Sequence, residues 1–321
     1  MLYYEGDQLG YRAMRERLRS NGLHVSRNVV RMAMKFIDNT AVERRRRRRL
    51  HRRKYENPGP NHCWHVDGYD KLKPYGFAIH GAIDGFSRRV LWLKVATTNN
   101  HPQVVALYFI RCVLELNKLP RILRCDRGTE NVHLEKIQKV LRRHGSDQFA
   151  GLKSFMYGRS TANQRIEAWW SMLRRQCTNF WINKFKDFQS LGLLDTSDPV
   201  HINCLRLCFM EVLQKHLDRV MEEWNVHIIQ ARKNNGNVCD RPDKMYFLPE
   251  AFDTISYAAP FNQDEALRIE IELENDEGVP TGLHPDFIKV MNAISPDWDF
   301  PEDFEQATAQ YVDLISEISA Y

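Results

Sequence analysis

The sequence predicts an α/β protein: a mixed five-stranded sheet flanked by helices, with a helix-turn-helix-like segment before it and a helical C-terminal extension after it. Three observations carry this reading. Residues 62–95 hold three successive runs rich in Val, Ile, Leu, Trp and Phe, parted by short turns. Beyond them, short apolar runs alternate with stretches of helical periodicity. Of the 321 residues 43% are apolar and 11% aromatic, enough for a sizeable core.

Taken in order, residues 9–20 (LGYRAMRERLRS) read as a helix, NGLHV as a turn, and 26–38 (SRNVVRMAMKFID) as a second helix capped by Ser26. Helix, short Gly-containing turn and helix is the pattern of a helix-turn-helix, and of any helical hairpin. Arg27 and Arg31 fall on one face of the second helix. In the next stretch, nine of the eleven residues 44–54 are Lys or Arg, including Arg44, Arg45, Arg46, Arg47, Arg48 and Arg49. Like charges at this density stay solvated or meet phosphates, so 41–60 reads as a linker ended by Asn57-Pro58-Gly59-Pro60.

HCWHVDGYDKL, GFAIHGAID and RVLWLKVAT then read as an antiparallel meander. A helix follows over about 102–117, opened by Pro102, then a short strand at 120–126, a turn at RGTEN, and a helix over 132–145 ended by Gly145. LKSFMYG is another short strand. The helix after it carries Ile166, Trp169 or Trp170, Leu173 and Cys177 at helical spacing, with Ser160 and Thr161 as N-cap types. Residues 199–232 form a long apolar stripe, read as core or dimer seam. From NNGN onward structure thins, and the acidic tail 262–321 is expected to be a small module or a docking helix for a protein partner. The segments divide as 1–40, 41–60, 61–235 and 236–321.

Charge is unevenly placed. Residues 1–250 carry 44 Lys and Arg against 25 Asp and Glu; residues 251–321 carry 2 against 16. A basic body points to a polyanionic partner, with nucleic acid the usual one. No apolar run approaches the roughly 18 residues of a membrane span, and the first ten residues lack a signal-peptide pattern. An intracellular protein is expected, nuclear if eukaryotic. The seven scattered Cys contain no C-x-x-C and read as reduced thiols. His201, Cys204 and Cys208 fall on one helix face but lack a fourth metal ligand, so a core face is the better reading.

Three acids inside the sheet unit stand out. Asp67 sits mid-strand in WHVDGY, where a charge is costly unless paired or metal-bound. Asp126 ends the fourth strand, and ligand sites in open sheets gather at carboxyl ends of strands. Glu167 lies one turn inside the last core helix. Alone, it reads as an exposed Glu pairing with Arg. If the first and fourth strands are neighbours and that helix crosses their ends, the three carboxylates converge and need a hard divalent cation such as Mg²⁺ or Mn²⁺. Two such ions clamp the attacking and leaving oxygens of a phosphoryl displacement. Asp84 reads as closing a turn. Asp70 and Glu130 read as loop edge rather than ligands, and His65 as a core histidine.

WHVDGY, IDGFSRRV, RCDRGTEN and GRSTANQRIEAWWSMLRR together resemble the integrase catalytic core of the retroviral integrase and DDE transposase superfamily. The likeness spans about 9–250 and is nearest to transposon-derived integrases of eukaryotes. It implies an RNase H-like fold. It carries the family's acidic triad onto Asp67, Asp126 and Glu167 as catalytic, metal-holding residues for two Mg²⁺ or Mn²⁺ ions. The spacings are 59 and 41 residues, the second longer than is common in retroviral members. Gln164 stands where retroviral cores have Gly. The resemblance implies DNA-end contacts at Asn163, Gln164, Ser171 and Arg174, and a homodimer or higher assembly holding element ends and target DNA. The implied activity is 3′-end processing and strand transfer. The alternatives are a domesticated DNA-binding protein without transposition activity and an RNase H-type nuclease.

Overall fold

The computed structural model describes residues 9–37, 57–158, 163–230, 239–275, 282–295 and 298–320. The Arg-rich stretch with Arg44 to Arg49, and the predicted cap types Ser160 and Thr161, lie outside the described residues.

The two N-terminal helices are α1 (Tyr11–Ser20) and α2 (Arg27–Ile37). Gly22 turns the chain between them at a φ of 78°, a conformation that costs Gly nothing. Ser26 caps α2 through the Val29 N–H. Arg17 of α1 is 4% exposed and reaches Glu223 at 3.4 Å. Arg27 and Arg31 are exposed, alongside exposed Val29, Met32 and Phe36.

The sheet contains β1 (Cys63–Tyr69), β2 (Ala78–Asp84), β3 (Val90–Ala96), β4 (Ile122–Cys125) and β5 (Phe155–Tyr157). Its order is β3-β2-β1-β4-β5. The first three strands pair antiparallel; β4 pairs parallel with β1, and β5 with β4. This is the mixed five-stranded sheet the sequence predicts, with an RNase H-like architecture. Two helices join its parallel half: α3 (Pro102–Leu116), with Pro102 in its first turn, and α4 (Val132–Leu141). The latter stops four residues short of Gly145. Arg142 is fully buried there, its guanidinium 2.5 Å from Asp147 and its carbonyl accepting from the Gly151 N–H.

Next come α5 (Gln164–Leu173) and α6 (Asn179–Ser190), joined without a break by a π-helical turn at Arg174–Thr178. α7 (Pro199–Val226) runs 28 residues. Its apolar stripe is core: Leu205, Phe209, Leu213, Leu217 and Val220 are fully buried. Cys204 and Cys208 lie in the same core, which accounts for them without a metal. α8 is the short Pro242–Phe247.

The acidic tail differs most from expectation. It is neither unstructured nor one module, because its helices divide between the two faces of the sheet. α9 (Gln263–Glu274) joins the cluster around α3 and α4 through Ala266, Ile269 and Leu273. Glu270 lies 3.4 Å from Arg111 and Glu265 2.6 Å from Arg143. α10 (Pro285–Ile294) and α11 (Phe304–Ala320) join the other cluster, around α5, α6 and α7. There Tyr311 stacks on Phe188 with centroids 5.7 Å apart and donates to the Leu193 carbonyl at 3.0 Å. Ala266, Phe287, Met291, Ala307, Tyr311 and Leu314 face in, while Leu267, Ile271, Phe300 and Val312 stay exposed among the acids, a pattern that low overall hydropathy hides. Among the described residues, no helix is long and apolar enough to cross a membrane.

Candidate active site

The site forms where β1, β4 and α5 meet. β1 needs Trp64 and Val66 in the core, and both are fully buried. Asp67 then falls half-buried on the opposite face, paired in register with Gly81 of β2. The parallel pairing sets Cys63, Trp64 and His65 beside Ile122, Leu123 and Arg124. Two residues further, the same register brings Asp126, the first residue after β4, beside Asp67. Neighbouring strands lie about 4.8 Å apart, and side chains in register share a face.

α5 crosses β1 and β2. Ile166, Trp169, Trp170 and Leu173 are its buried side, which leaves Glu167, one turn in, exposed beside the two aspartates. Two polar side chains fasten α5 to β1. Asn163, at its N-terminus, takes a 2.6 Å hydrogen bond from His65 Nδ1 on its Oδ1 and donates from Nδ2 to the Val66 carbonyl at 2.9 Å. One helical stretch later, Trp170 Nε1 donates to Asp67 Oδ2 at 2.8 Å.

The charges of the three acids act on one another. Burial is the largest influence on Asp67; the Trp170 N–H opposes it, and the charges of Asp126 and Glu167 add to it, leaving the carboxyl raised to about 7. Burial and then Asp126 raise Glu167. No Lys or Arg among the described residues pairs with any of the three. Asp84, by contrast, is fully buried and accepts from the backbone of Asn61, Phe86 and Ser87 and from the Ser87 hydroxyl. It closes the β2–β3 turn as the sequence suggests.

An all-carboxylate set without its own cation suits a hard divalent ion. Among the described residues, no group of three or more Asp, Glu, His or Cys is drawn in tightly enough to hold a metal as it stands. The donor chemistry of three carboxylates fits such an ion. Asp70 is engaged by Asn99 at 2.7 Å and by Lys73 at 3.4 Å. Glu130 is half-buried and accepts from Asn131, and burial, aided by Asp126, raises it.

Of the expected DNA contacts, Ser171 and Arg174 are exposed and Gln164 is half-exposed. Arg174 reaches Asn179 at 3.1 Å. Asn163 is a correction. It is 1% exposed, with its amide turned inward onto His65 and Val66, so it is closed to DNA as the chain stands. His65 is the core histidine the sequence suggests, held neutral by burial, which lowers it to about 3. Sequence reasoning missed the two fastenings of α5. The available signal was Trp170, three residues after Glu167 and so on the neighbouring helical row.

Compared with known protein families, residues 54–246 match the family described as integrase core domain. The chain matches none of the curated proteins compared with it. The match covers more than half of the chain and contains all five strands, Asp67, Asp126 and Glu167. The chain therefore belongs to the integrase core domain family of the retroviral integrase superfamily, RNase H-like polynucleotidyl transferases that bind DNA and generally depend on divalent metal.

Proposed function

We propose that this protein is a DDE-type DNA integrase or transposase that performs 3′-end processing and strand transfer. The observation that carries the reading is the meeting of Asp67, Asp126 and Glu167 from β1, the end of β4 and α5, with no Lys or Arg among the described residues paired to them. In this role the three carboxylates hold two Mg²⁺ or Mn²⁺ ions. When bound, those ions stabilise charge on the attacking and leaving oxygens of an in-line phosphoryl displacement. No side chain is needed as a covalent nucleophile, so the protein's own work is to hold and orient.

Each surrounding residue has a part in that work. Trp170 and the Asn163–His65 pair keep Glu167 and Asp67 in fixed relation. Gln164 and Ser171 on α5, and Arg174 at the start of the π-helical turn that follows it, line the side of Glu167, where a DNA end would lie. Arg174 meets phosphate, and the two uncharged side chains meet sugar or base edges. Arg27 and Arg31 on α2, and by their charge the Arg-rich residues 44–49, would contact the phosphate backbone. Two such sites in a homodimer or larger assembly would hold two ends, and work on DNA places a eukaryotic protein of this kind in the nucleus.

The test is joining of short duplexes, from the element's ends or random in sequence, to supercoiled plasmid with Mn²⁺ or Mg²⁺. Wild type is compared with Asp126→Asn and Glu167→Gln. Joining or nicking by wild type that vanishes in both variants supports the reading. Activity that survives both removes the chemistry from these residues. DNA binding without joining, when the correct ends are supplied, gives the domesticated binder instead.

A further inference from the structure

The pair Trp169-Trp170 contains two adjacent buried indoles with different surroundings. Trp169 packs on Trp224 with ring centroids 4.7 Å apart, and its N–H has no partner among the described residues. Trp170 turns the other way, across the sheet. Its ring lies 5.2 Å from that of Tyr69, and its N–H ends on Asp67 Oδ2. The space it occupies exists because β2 carries Gly81 directly opposite Asp67. A Cβ on Gly81 would stand 2.8 Å from Trp170 Cη2. The Gly, the indole and the aspartate therefore form one fitted unit.

We infer that Trp170, seated on Gly81, is a positioning residue that fixes the Asp67 carboxylate for metal binding; this rests on the reading of Asp67, Asp126 and Glu167 as the metal-holding acids. An indole N–H donates and cannot accept, so it engages one carboxylate oxygen in a constant sense. It fixes Oδ2, and the Gly68 N–H is the carboxyl's other protein donor. It is also uncharged. A Lys or Arg in its place would orient Asp67 equally well but would cancel the negative charge that a cation needs. Because Trp170 sits on the helix of Glu167, the hydrogen bond also couples the placement of two of the three acids.

The test is Mn²⁺ titration followed by the paramagnetic resonance of free Mn²⁺, on wild type, Asp67→Asn, Trp170→Phe and Trp169→Phe. Trp170→Phe keeps a ring and loses the donor, and Trp169→Phe is the matched ring loss away from the acids. A hydrogen bond to a charged group is worth about a factor of ten in an equilibrium. Trp170→Phe is therefore expected to weaken Mn²⁺ binding about tenfold, and Trp169→Phe to leave it within about twofold. In plasmid joining, excess Mn²⁺ should restore most of the Trp170→Phe rate, as befits a residue that acts through metal affinity. The benzothiophene analogue of Trp, placed at 170, keeps both rings and lacks only the N–H, so it repeats the test should Trp170→Phe fold poorly. Equal affinity in wild type and the analogue overturns the inference, as does equal weakening by Trp169→Phe and Trp170→Phe. Mn²⁺ binding that Asp67→Asn leaves unchanged removes the metal-site reading itself, and the inference falls with it.

Discussion

Asp67 and Asp84 stand on adjacent antiparallel strands, and their surroundings are opposite. Asp84 is sealed in and meets four donors from Asn61, Phe86 and Ser87. Asp67 is half-open, has the Trp170 indole and the Gly68 N–H as partners, and faces two further carboxylates. Satisfied acids hold folds together; crowded and underpaired ones are stored for chemistry. The first kind should fail in stability when changed, and the second in activity.

The largest effect is on activity. Asp67→Asn should lower joining by on the order of 10³-fold or more, since metal placement and charge are lost together, with no loss of thermal stability. Asp84→Asn should do the reverse: it sets an amide N–H₂ against buried donors and should cost about 2–4 kcal/mol in denaturant unfolding. If Asp84→Asn abolishes joining in a protein of full stability, the contrast breaks.

The second prediction concerns pH. Asp67 is raised to about 7 from the ordinary carboxylate value of 3.8. Between those values the folded protein binds a proton that the unfolded chain has released. Its stabilising contribution is thus fully present below about pH 4 and is lost as pH rises through 7. Discounted for partial exposure, it amounts to about 1–2 kcal/mol. The difference in unfolding free energy between wild type and Asp67→Asn, measured without metal from pH 5 to 8.5, should move against wild type with rising pH. Saturating Mg²⁺ should flatten the slope. A difference that is constant across that range contradicts the crowding of these acids.

Smaller effects sharpen the comparison. Asn163→Ala removes its two hydrogen bonds to β1, the one from His65 Nδ1 and the one to the Val66 carbonyl, so it should cost about 1–3 kcal/mol of stability and leave DNA affinity within about twofold. Arg174→Ala should do the opposite, with stability unchanged within about 0.5 kcal/mol. It should weaken DNA binding and reduce the steepness of its salt dependence by about one ion.

The sheet was legible because its signals are local. Three apolar runs with tight turns, then alternating strand and helix periods, leave few topologies. Asp67 and Asp126 were legible because a charge inside a strand, or at its carboxyl end, needs a reason. Helix α6 was missed because a π-helical turn at Arg174–Thr178 carries α5 into it without a stop signal. The sequence suggested a small module or a docking helix for the tail but not its packing on both faces of the sheet, because a charge-dense segment with few apolar residues looks solvated until a surface exists to receive Tyr311 or Ala266. Asn163 looked like a polar residue on a helix face. Only the packing of α5 on β1 turns it inward, and that is a long-range fact no spacing encodes.

The central claim is that acids from β1, the end of β4 and α5 share one metal site, and metal-directed backbone cleavage tests it without knowledge of the DNA ends. The purified protein is loaded with Fe²⁺ and treated with ascorbate and peroxide, so that hydroxyl radicals cut the chain near bound iron. The account predicts cuts in three places far apart in sequence, near Asp67, Asp126 and Glu167, all suppressed by excess Mg²⁺ and lost in Asp67→Asn. Cuts confined to other segments, or cuts that Mg²⁺ does not suppress, would contradict it.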